Sequence, residues 1–301
     1  MVSKQINQGA HLPKLPESPK VHAGPAGFPR FKARDRFDSV EFPKYGDGVR
    51  LNDTKLYVQN VGDVRVHLHR DVEGKIKTVT LKREADKWYV VFSCELPDVP
   101  ILPTDNPPVG IDVGLESFLT DSYGKKEPNP RYLKDALPEL RRKGRGVSRK
   151  KLRSKNRRKA VKRLRKIHAR VRNLRKEHHH HVALKLVRRF GFIAAESLDI
   201  LGMIGSGRYT RSISDAGWDG FLLTLRCKAE SAGIEYVEVN ARGTSQCCSR
   251  CGEIVPKTLF DRWHECPHCG LSLHRDENSA KEILRRGLLV RIGPAGGNVG
   301  H

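Results

Sequence analysis

The run Val109-Gly-Ile-Asp-Val-Gly114 places an acid, Asp112, inside a short apolar segment that ends in glycine. An unpaired carboxylate in a buried strand is costly, so something must compensate it. Moving outward, Gly191-Phe-Ile-Ala-Ala-Glu196 repeats the pattern, an apolar run closed by an acid, Glu196. Leu273-His-Arg-Asp-Glu-Asn278 sets a third acid, Asp276, just before a helical pattern. Carboxylates from different strand ends that share divalent cations are a good compensation, and such a centre hydrolyses phosphodiesters. Each acid alone has a plainer reading: a turn cap for Asp112, the start of a surface loop for Glu196, a helix N-cap for Asp276. The three in this order point to chemistry.

Around these runs the pattern mixes strands and helices. Val109 to Asp121 reads as two strands joined at Gly114, Gly191 to Glu196 as a strand, and Ile234 to Val239 as another. Helices are expected over residues 131–143, 148–189, 215–232 and 277–286. A sheet interleaved with helices, with acids at strand ends, suits an α/β nuclease core. Upstream, Lys75 to Lys82 and Trp88 to Cys94 alternate around a polar loop and read as a β-hairpin in a small β-domain. Prolines between Leu96 and Pro108 mark a stiff linker, so a boundary is expected near residue 100. Residues 1–45 lack a sustained period and are expected to be irregular.

The chain has 301 residues and a net charge of +23, which points to a polyanionic partner. No apolar stretch approaches the roughly 18 residues that span a membrane, and the N-terminus lacks the apolar core of a secretory signal, so a cytoplasmic protein is expected. Between Arg141 and Lys176 lie twenty Lys or Arg and no acid. Val161, Leu164, Ile167, Val171 and Leu174 recur there at helical spacing. The segment therefore reads as a helix with one apolar seam and cationic remaining faces. The seam favours docking over a disordered tail, and the charge suits phosphate contact without base recognition. Arg149, Lys150, Lys151, Arg153, Lys155, Arg157, Arg158 and Lys159 are the candidate contacts. The run His178 to His181 reads as a continuing helix rather than a metal site.

Cys248-Ser-Arg-Cys251 and Cys266-Pro-His-Cys269 are two Cys-x-x-Cys knuckles, each followed by glycine and separated by fourteen residues. This spacing lets Cys248, Cys251, Cys266 and Cys269 converge tetrahedrally on Zn²⁺. Cys247 breaks the symmetry, and the four cysteines complete a shell without His264 or His268. A closed four-cysteine site leaves no open position, so its role reads as structural.

Together these residues resemble a known family. Ala241-Arg-Gly-Thr-Ser-Gln-Cys-Cys-Ser-Arg-Cys-Gly252, Trp263-His-Glu-Cys-Pro-His-Cys-Gly270 and His274-Arg-Asp-Glu-Asn-Ser-Ala280 are similar to the C-terminal half of TnpB, the OrfB-type transposon protein related to type V CRISPR effectors. Gly110-Ile-Asp-Val-Gly114 resembles its first RuvC motif, Ala195-Glu-Ser-Leu-Asp-Ile200 the second and Arg275-Asp-Glu-Asn278 the third. Ser148 to Lys159 and Ser212-Ile-Ser-Asp-Ala-Gly-Trp218 also look like the family. The match runs from about residue 100 to 286 and more weakly back to about 45.

The resemblance implies an α/β RNase H-like (RuvC) core with an inserted zinc ribbon, preceded by a small β-barrel-like wedge domain. It implies a DNA endonuclease directed by a transposon-derived guide RNA, with Asp112, Glu196 and Asp276 holding two Mg²⁺ or Mn²⁺. Domains are then expected at 46–100 (a partial wedge), 101–243 (the core, with a basic helical insertion at 131–189), 244–272 (the ribbon), 273–287 (the last motif and its helix) and 288–301 (a disordered tail). The chain departs from the family twice. The part before Val109 is short and shows no helical recognition module, as in a truncated copy, a misplaced gene start or a compact variant. His274 stands where the third motif often has an acid. A protein that binds DNA or RNA without cutting, and a transposase that itself joins strands, are the competing readings.

Overall fold

The computed structural model describes residues 37–292, except 102, 208, 259 and 260. The expectations for residues 1–36 and 293–301 lie outside it. The chain divides after Asp98 into two compact units. Among the described residues no helix is long and apolar enough to cross a membrane.

The first unit holds β1 (Ser39–Phe42), β2 (Val49–Asn52), β3 (Lys55–Val58), β4 (Gly62–Arg65), β5 (Lys75–Glu84) and β6 (Lys87–Glu95). The expected hairpin is β5–β6, with Glu84 opposite Lys87 and Ala85 at φ 56 in the turn. The strands pair as two three-stranded antiparallel sheets, β1-β5-β6 and β2-β3-β4, rather than as one closed barrel. Val49, Leu56, Val58, Val79, Phe92 and Cys94 form their shared core. Residues 39–42 are not irregular: Ser39 to Phe42 pair with Lys82 to Val79 on the β5 edge. That pairing is non-local, so a short alternating tetrapeptide gave no sign of it.

The second unit runs β7 (Pro108–Val113), β8 (Ser117–Asp121), β9 (Lys126–Pro128), α1 (Tyr132–Ser148), α2 (Lys155–Arg189), β10 (Phe192–Ser197), α3 (Ile200–Gly205), α4 (Thr210–Ala216), α5 (Trp218–Ser231), β11 (Glu235–Asn240), β12 (Trp263–Glu265), β13 (Ser272–His274) and α6 (Arg275–Ile292). Its five-stranded mixed sheet has the order β11-β10-β7-β8-β9. β7, β10 and β11 are parallel; β8 runs antiparallel to β7, and β9 antiparallel to β8.

Side-chain alternation decides the layers. Ile193 and Ala195 of β10, with Val109 and Ile111 of β7, pack against Val182, Leu186, Phe221 and Leu225 of α2 and α5. Phe192 and Ala194 face the other way, where they cluster with Val239 of β11 and Ile283 of α6. Both faces of β10 are thus buried, which explains its continuous apolar run. Burial of Ile193, Phe221 or Leu225 contributes about 1.5–3 kcal/mol each.

Three helix boundaries differ from expectation. The break expected at 144–147 falls later: α1 runs on to Ser148, and Ser154 caps α2 by accepting a 3.1 Å bond from the Arg157 amide. Arg153 at φ 63 makes the turn. The 215–232 helix is two helices, split at Gly217, whose φ of 64 leaves the helical region. The last helix runs through Ile292, so residues 288–292 are helical rather than tail.

Candidate metal centres and nucleic-acid interface

Asp112 and Glu196 are brought to one place by strand register. Ala195 is the partner of Ile111 in the parallel β7–β10 pair, so the next residue on each strand, Asp112 and Glu196, closes the same end. By alternation Asp112 lies on the face of Gly110, and Glu196 on that of Phe192 and Ala194. That face is covered by α6. A Cβ at Gly110 would fall 2.1 Å from the Ala280 carbonyl oxygen, and one at Gly287 would fall 2.5 Å from the Ala194 Cβ. Two glycines therefore let the helix lie directly on the strands, which sets its first turn, with Asp276, at the same sheet edge. An acid in a first turn also complements the helix dipole.

All three acids are partly buried. Burial, then the charges of Glu196 and Asp276, push the Asp112 pKa well above the usual carboxylate range, against the pull of Arg275. The three acids therefore act on one another electrostatically. Burial raises the Glu196 pKa as well, and the Thr244 hydroxyl and the Arg286 charge offset it in part. Asp276 has Arg275 Nε 3.5 Å from its Oδ1, and its amide donates to His274 Nδ1 at 3.2 Å.

Several supporting residues had no sequence signal of their own. Thr244, itself buried, donates its hydroxyl hydrogen bond to Glu196. The loop before it is held by Arg286, whose Nη1 donates to the Asn240 and Arg242 carbonyls, 2.9 Å each. Arg286 in turn is paired with fully buried Glu282 at 2.8 Å. Asn278 ties α6 to the cysteine module: its Nδ2 donates to the Cys247 carbonyl at 2.7 Å, and its Oδ1 accepts from the Ser249 amide at 3.0 Å. Thr244 and Asn278 stand in the family-like stretches, but a motif alone does not name their partners.

The cysteine module is built by two matching knuckles. Cys248 and Cys266 each accept a 2.9 Å bond from the glycine four residues on, Gly252 at φ 82 and Gly270 at φ 71. The Sγ atoms of Cys248, Cys251, Cys266 and Cys269 all lie within 4.8 Å of one another, the only such group of three or more His, Cys, Asp or Glu among the described residues. Cys248 and Cys269 are 3.6 Å apart, and Cys251 and Cys266 3.5 Å. A tetrahedral ion with Zn–S bonds of about 2.3 Å sets sulfurs about 3.8 Å apart, so the cluster fits one. Burial opposes ionisation of Cys266, yet the backbone amides of Cys269 and His268 bring its pKa down to about 6. The three carboxylates do not form a group of this kind.

The cationic candidates sit at one end of a helical hairpin. Arg149, Lys150, Lys151 and Arg153 lie in the connection between α1 and α2, and Lys155, Arg158 and Lys159 in the first turns of α2; all are exposed. Arg157 differs. It is partly buried, and its Nη1 donates to the Val147 carbonyl at 2.9 Å, locking the two helices. The apolar seam is real: Val161, Leu164, Ile167, Val171 and Leu174 are all partly or fully buried. The start of α1 is capped from afar by Asp215, which accepts from the Leu133 amide at 2.9 Å and pairs with Arg175 at 3.3 Å. His179 is packed between Phe118 and Phe221, and burial lowers its pKa to about 4; His178 is partly buried, and His180 and His181 are exposed on the continuing helix.

Residues 91–207 match the OrfB_IS605 family, described as probable transposase, and residues 218–283 match the Cas12f1-like TNB domain. A relative in Streptomyces pristinaespiralis, named "Putative RNA-guided DNA endonuclease", is 33% identical over 70% of this chain and 53% of its own length. InsQ of Escherichia coli strain K12, which bears the same description, is 29% identical over 88% of this chain and 70% of its own. The chain thus spans about half the length of the first relative. A cryo-EM structure of a CRISPR-Cas12f ternary complex aligns over 69% of this chain and 45% of its own, with a TM-score of 0.46 and 18% identity. By the two family matches and the relatives, the chain belongs to the OrfB (TnpB) transposase family.

Proposed function

We propose that the chain is a metal-dependent DNA endonuclease of RNase H-like (RuvC) type, directed by a transposon-derived RNA. The observation that carries this is the meeting of Asp112, Glu196 and Asp276 at one sheet edge, set by the β7–β10 register and the seat of α6, where burial and then the charges of Glu196 and Asp276 raise the Asp112 pKa. Clustered acids that repel one another suit hard divalent cations such as Mg²⁺ or Mn²⁺. The relatives named as RNA-guided DNA endonucleases support the reading.

In this reading Asp112, Glu196 and Asp276 hold the catalytic ions, and Cys248, Cys251, Cys266 and Cys269 hold a structural Zn²⁺. A bound pair of divalent ions activates water and stabilises the leaving oxygen. The protein's part is to hold the acids still. Parallel register fixes Asp112 against Glu196, the Thr244 hydroxyl orients Glu196, and the close seat of α6 on Gly110 fixes Asp276. The ribbon, through Asn278, braces the first turns of α6. The exposed cations from Arg149 to Lys159 grip phosphates, and the first unit serves as a wedge-like domain.

The test is cleavage of a labelled single strand and of a guide-matched duplex, with and without Mg²⁺. Metal-dependent cleavage that is lost in Asp112→Ala is expected. Metal-independent cleavage, or full activity in that variant, rejects the catalytic assignment. Binding without cleavage on every substrate favours a purely binding role.

A further inference from the structure

We infer that Trp263 is a stacking platform for an unstacked base of the DNA strand led to the carboxylate centre, an inference that rests on the nucleic-acid reading above. The two-stranded ribbon β12–β13 has one buried and one exposed face. His264 and Leu273 point inward, while Trp263, Glu265 and Ser272 point out. The Trp263 side of the ribbon leaves this large apolar residue 54% exposed. The outward surface of the indole adds nothing to a core, unlike that of Trp218, which is 3% exposed.

The ring is nevertheless held in one orientation. Its Nε1–H donates to Ser272 Oγ at 2.7 Å, across the ribbon. It meets the His274 imidazole edge to face, with centroids 6.3 Å apart at 80°. His274 accepts from the Asp276 amide through Nδ1, so it is a link between the indole and the acid. On the other flank Arg262 pairs at 3.1 Å with Glu116, in the loop that follows Asp112 along the chain. Two separate ties therefore set Trp263 beside the ends of the elements that carry Asp112 and Asp276.

A held, exposed indole on a chain of net charge +23 suits a nucleobase. Stacking is sequence-tolerant because every base offers a π face, and a pre-oriented ring loses little entropy on binding. The base must be unpaired to reach it, so the occupant is a single-stranded segment. The ribbon's four cysteines then stiffen the mount of the platform.

The experiment uses the full chain carrying Trp88→Phe and Asp112→Ala. Trp218 being buried, solvent-accessible indole fluorescence then reports on Trp263, and no substrate is cut. The probes are a single-stranded DNA oligonucleotide, the same strand made of abasic sites, and the same sequence as RNA. We expect the DNA to quench the fluorescence and Trp263→Ala to weaken its binding about tenfold. Trp263→Tyr should retain most of the affinity. The abasic strand should bind weakly and be indifferent to Trp263→Ala. Zinc content checks that the ribbon is intact; if Trp263→Ala loses zinc, Trp263→Tyr and the abasic strand decide. Unchanged emission at saturating DNA, wild-type affinity in a zinc-loaded Trp263→Ala, or quenching by RNA alone overturns the inference. Failure of the unmutated chain to cleave would instead strike the nuclease reading, because stacking is read here without cleavage.

Discussion

The two candidate metal centres are assembled in opposite ways. The cysteine centre takes its ligands from one short stretch, Cys248 to Cys269, and each half is shaped by its own glycine turn. The carboxylate centre takes one acid from β7, one from β10 and one from α6, far apart in sequence, and exists only once the sheet and α6 have packed. A local site can be ordered by its ion; a distributed site depends on the fold around it. The two meet at α6, where Asn278 holds the cysteine module and Asp276, two residues earlier, completes the acid set.

The largest effect should come from the distributed site. Asp112→Ala, Glu196→Ala and Asp276→Ala should each lower metal-dependent cleavage by about a thousandfold or more, and the triple variant should be little worse than any single one, because groups acting as a unit are not additive. Single-turnover rates on one substrate measure this. Three independent, multiplying losses would mean that the acids do not share a centre. Next in size is the local site. Cys266→Ser with Cys269→Ser should take zinc from about one ion per chain to almost none, by elemental analysis. Zinc retained in that variant would remove the cysteine assignment.

Gly110→Ala probes the join between strand and helix. A Cβ there must displace the backbone of α6, so stability should fall by about 1–3 kcal/mol or more and cleavage should fall with it, while zinc content stays near wild type. Gly252 has open space around the corresponding position, though its positive φ disfavours a side chain. Equal tolerance of alanine at Gly110 in thermal melts would mean that α6 does not lie against β7.

A smaller effect follows from the burial of Asp112 and its repulsion by the other two acids. The folded pKa of Asp112 is raised, so in metal-free protein its contribution to stability is fully present below the ordinary aspartate value of about 3.9 and is lost as pH rises toward the folded value. Asp112→Asn should therefore melt higher than wild type at neutral pH without divalent metal, and the gain should shrink as the pH is lowered. A variant that melts lower at neutral pH would argue against the repulsion.

The same contrast explains what the sequence disclosed. The knuckles were legible because ligand spacing and turn glycines are local. The three acids were legible as residues, since an acid ending the apolar run Phe192 to Ala195 is anomalous by itself. Their convergence was implied by motif order, but its cause, the register of Ile111 with Ala195 and the seat of α6 on Gly110, is tertiary. The roles of Thr244 and Arg286 were silent because each is explained by a distant partner, Glu196 for one and the Asn240 and Arg242 carbonyls for the other. The break between α1 and α2 lies at 149–154 rather than 144–147, because Arg and Lys favour helix at every one of their positions there and the turn is set by α1 packing back on α2. β1 was missed for the same reason: the strand it pairs with lies more than thirty residues away.

The most direct test of the shared carboxylate centre is manganese anomalous diffraction from crystals of the full chain grown with Mn²⁺. The account predicts anomalous density within bonding distance of carboxylate oxygens of Asp112, Glu196 and Asp276, and its loss in Asp112→Ala crystals. Manganese bound only elsewhere, or density unchanged in that variant, would contradict it.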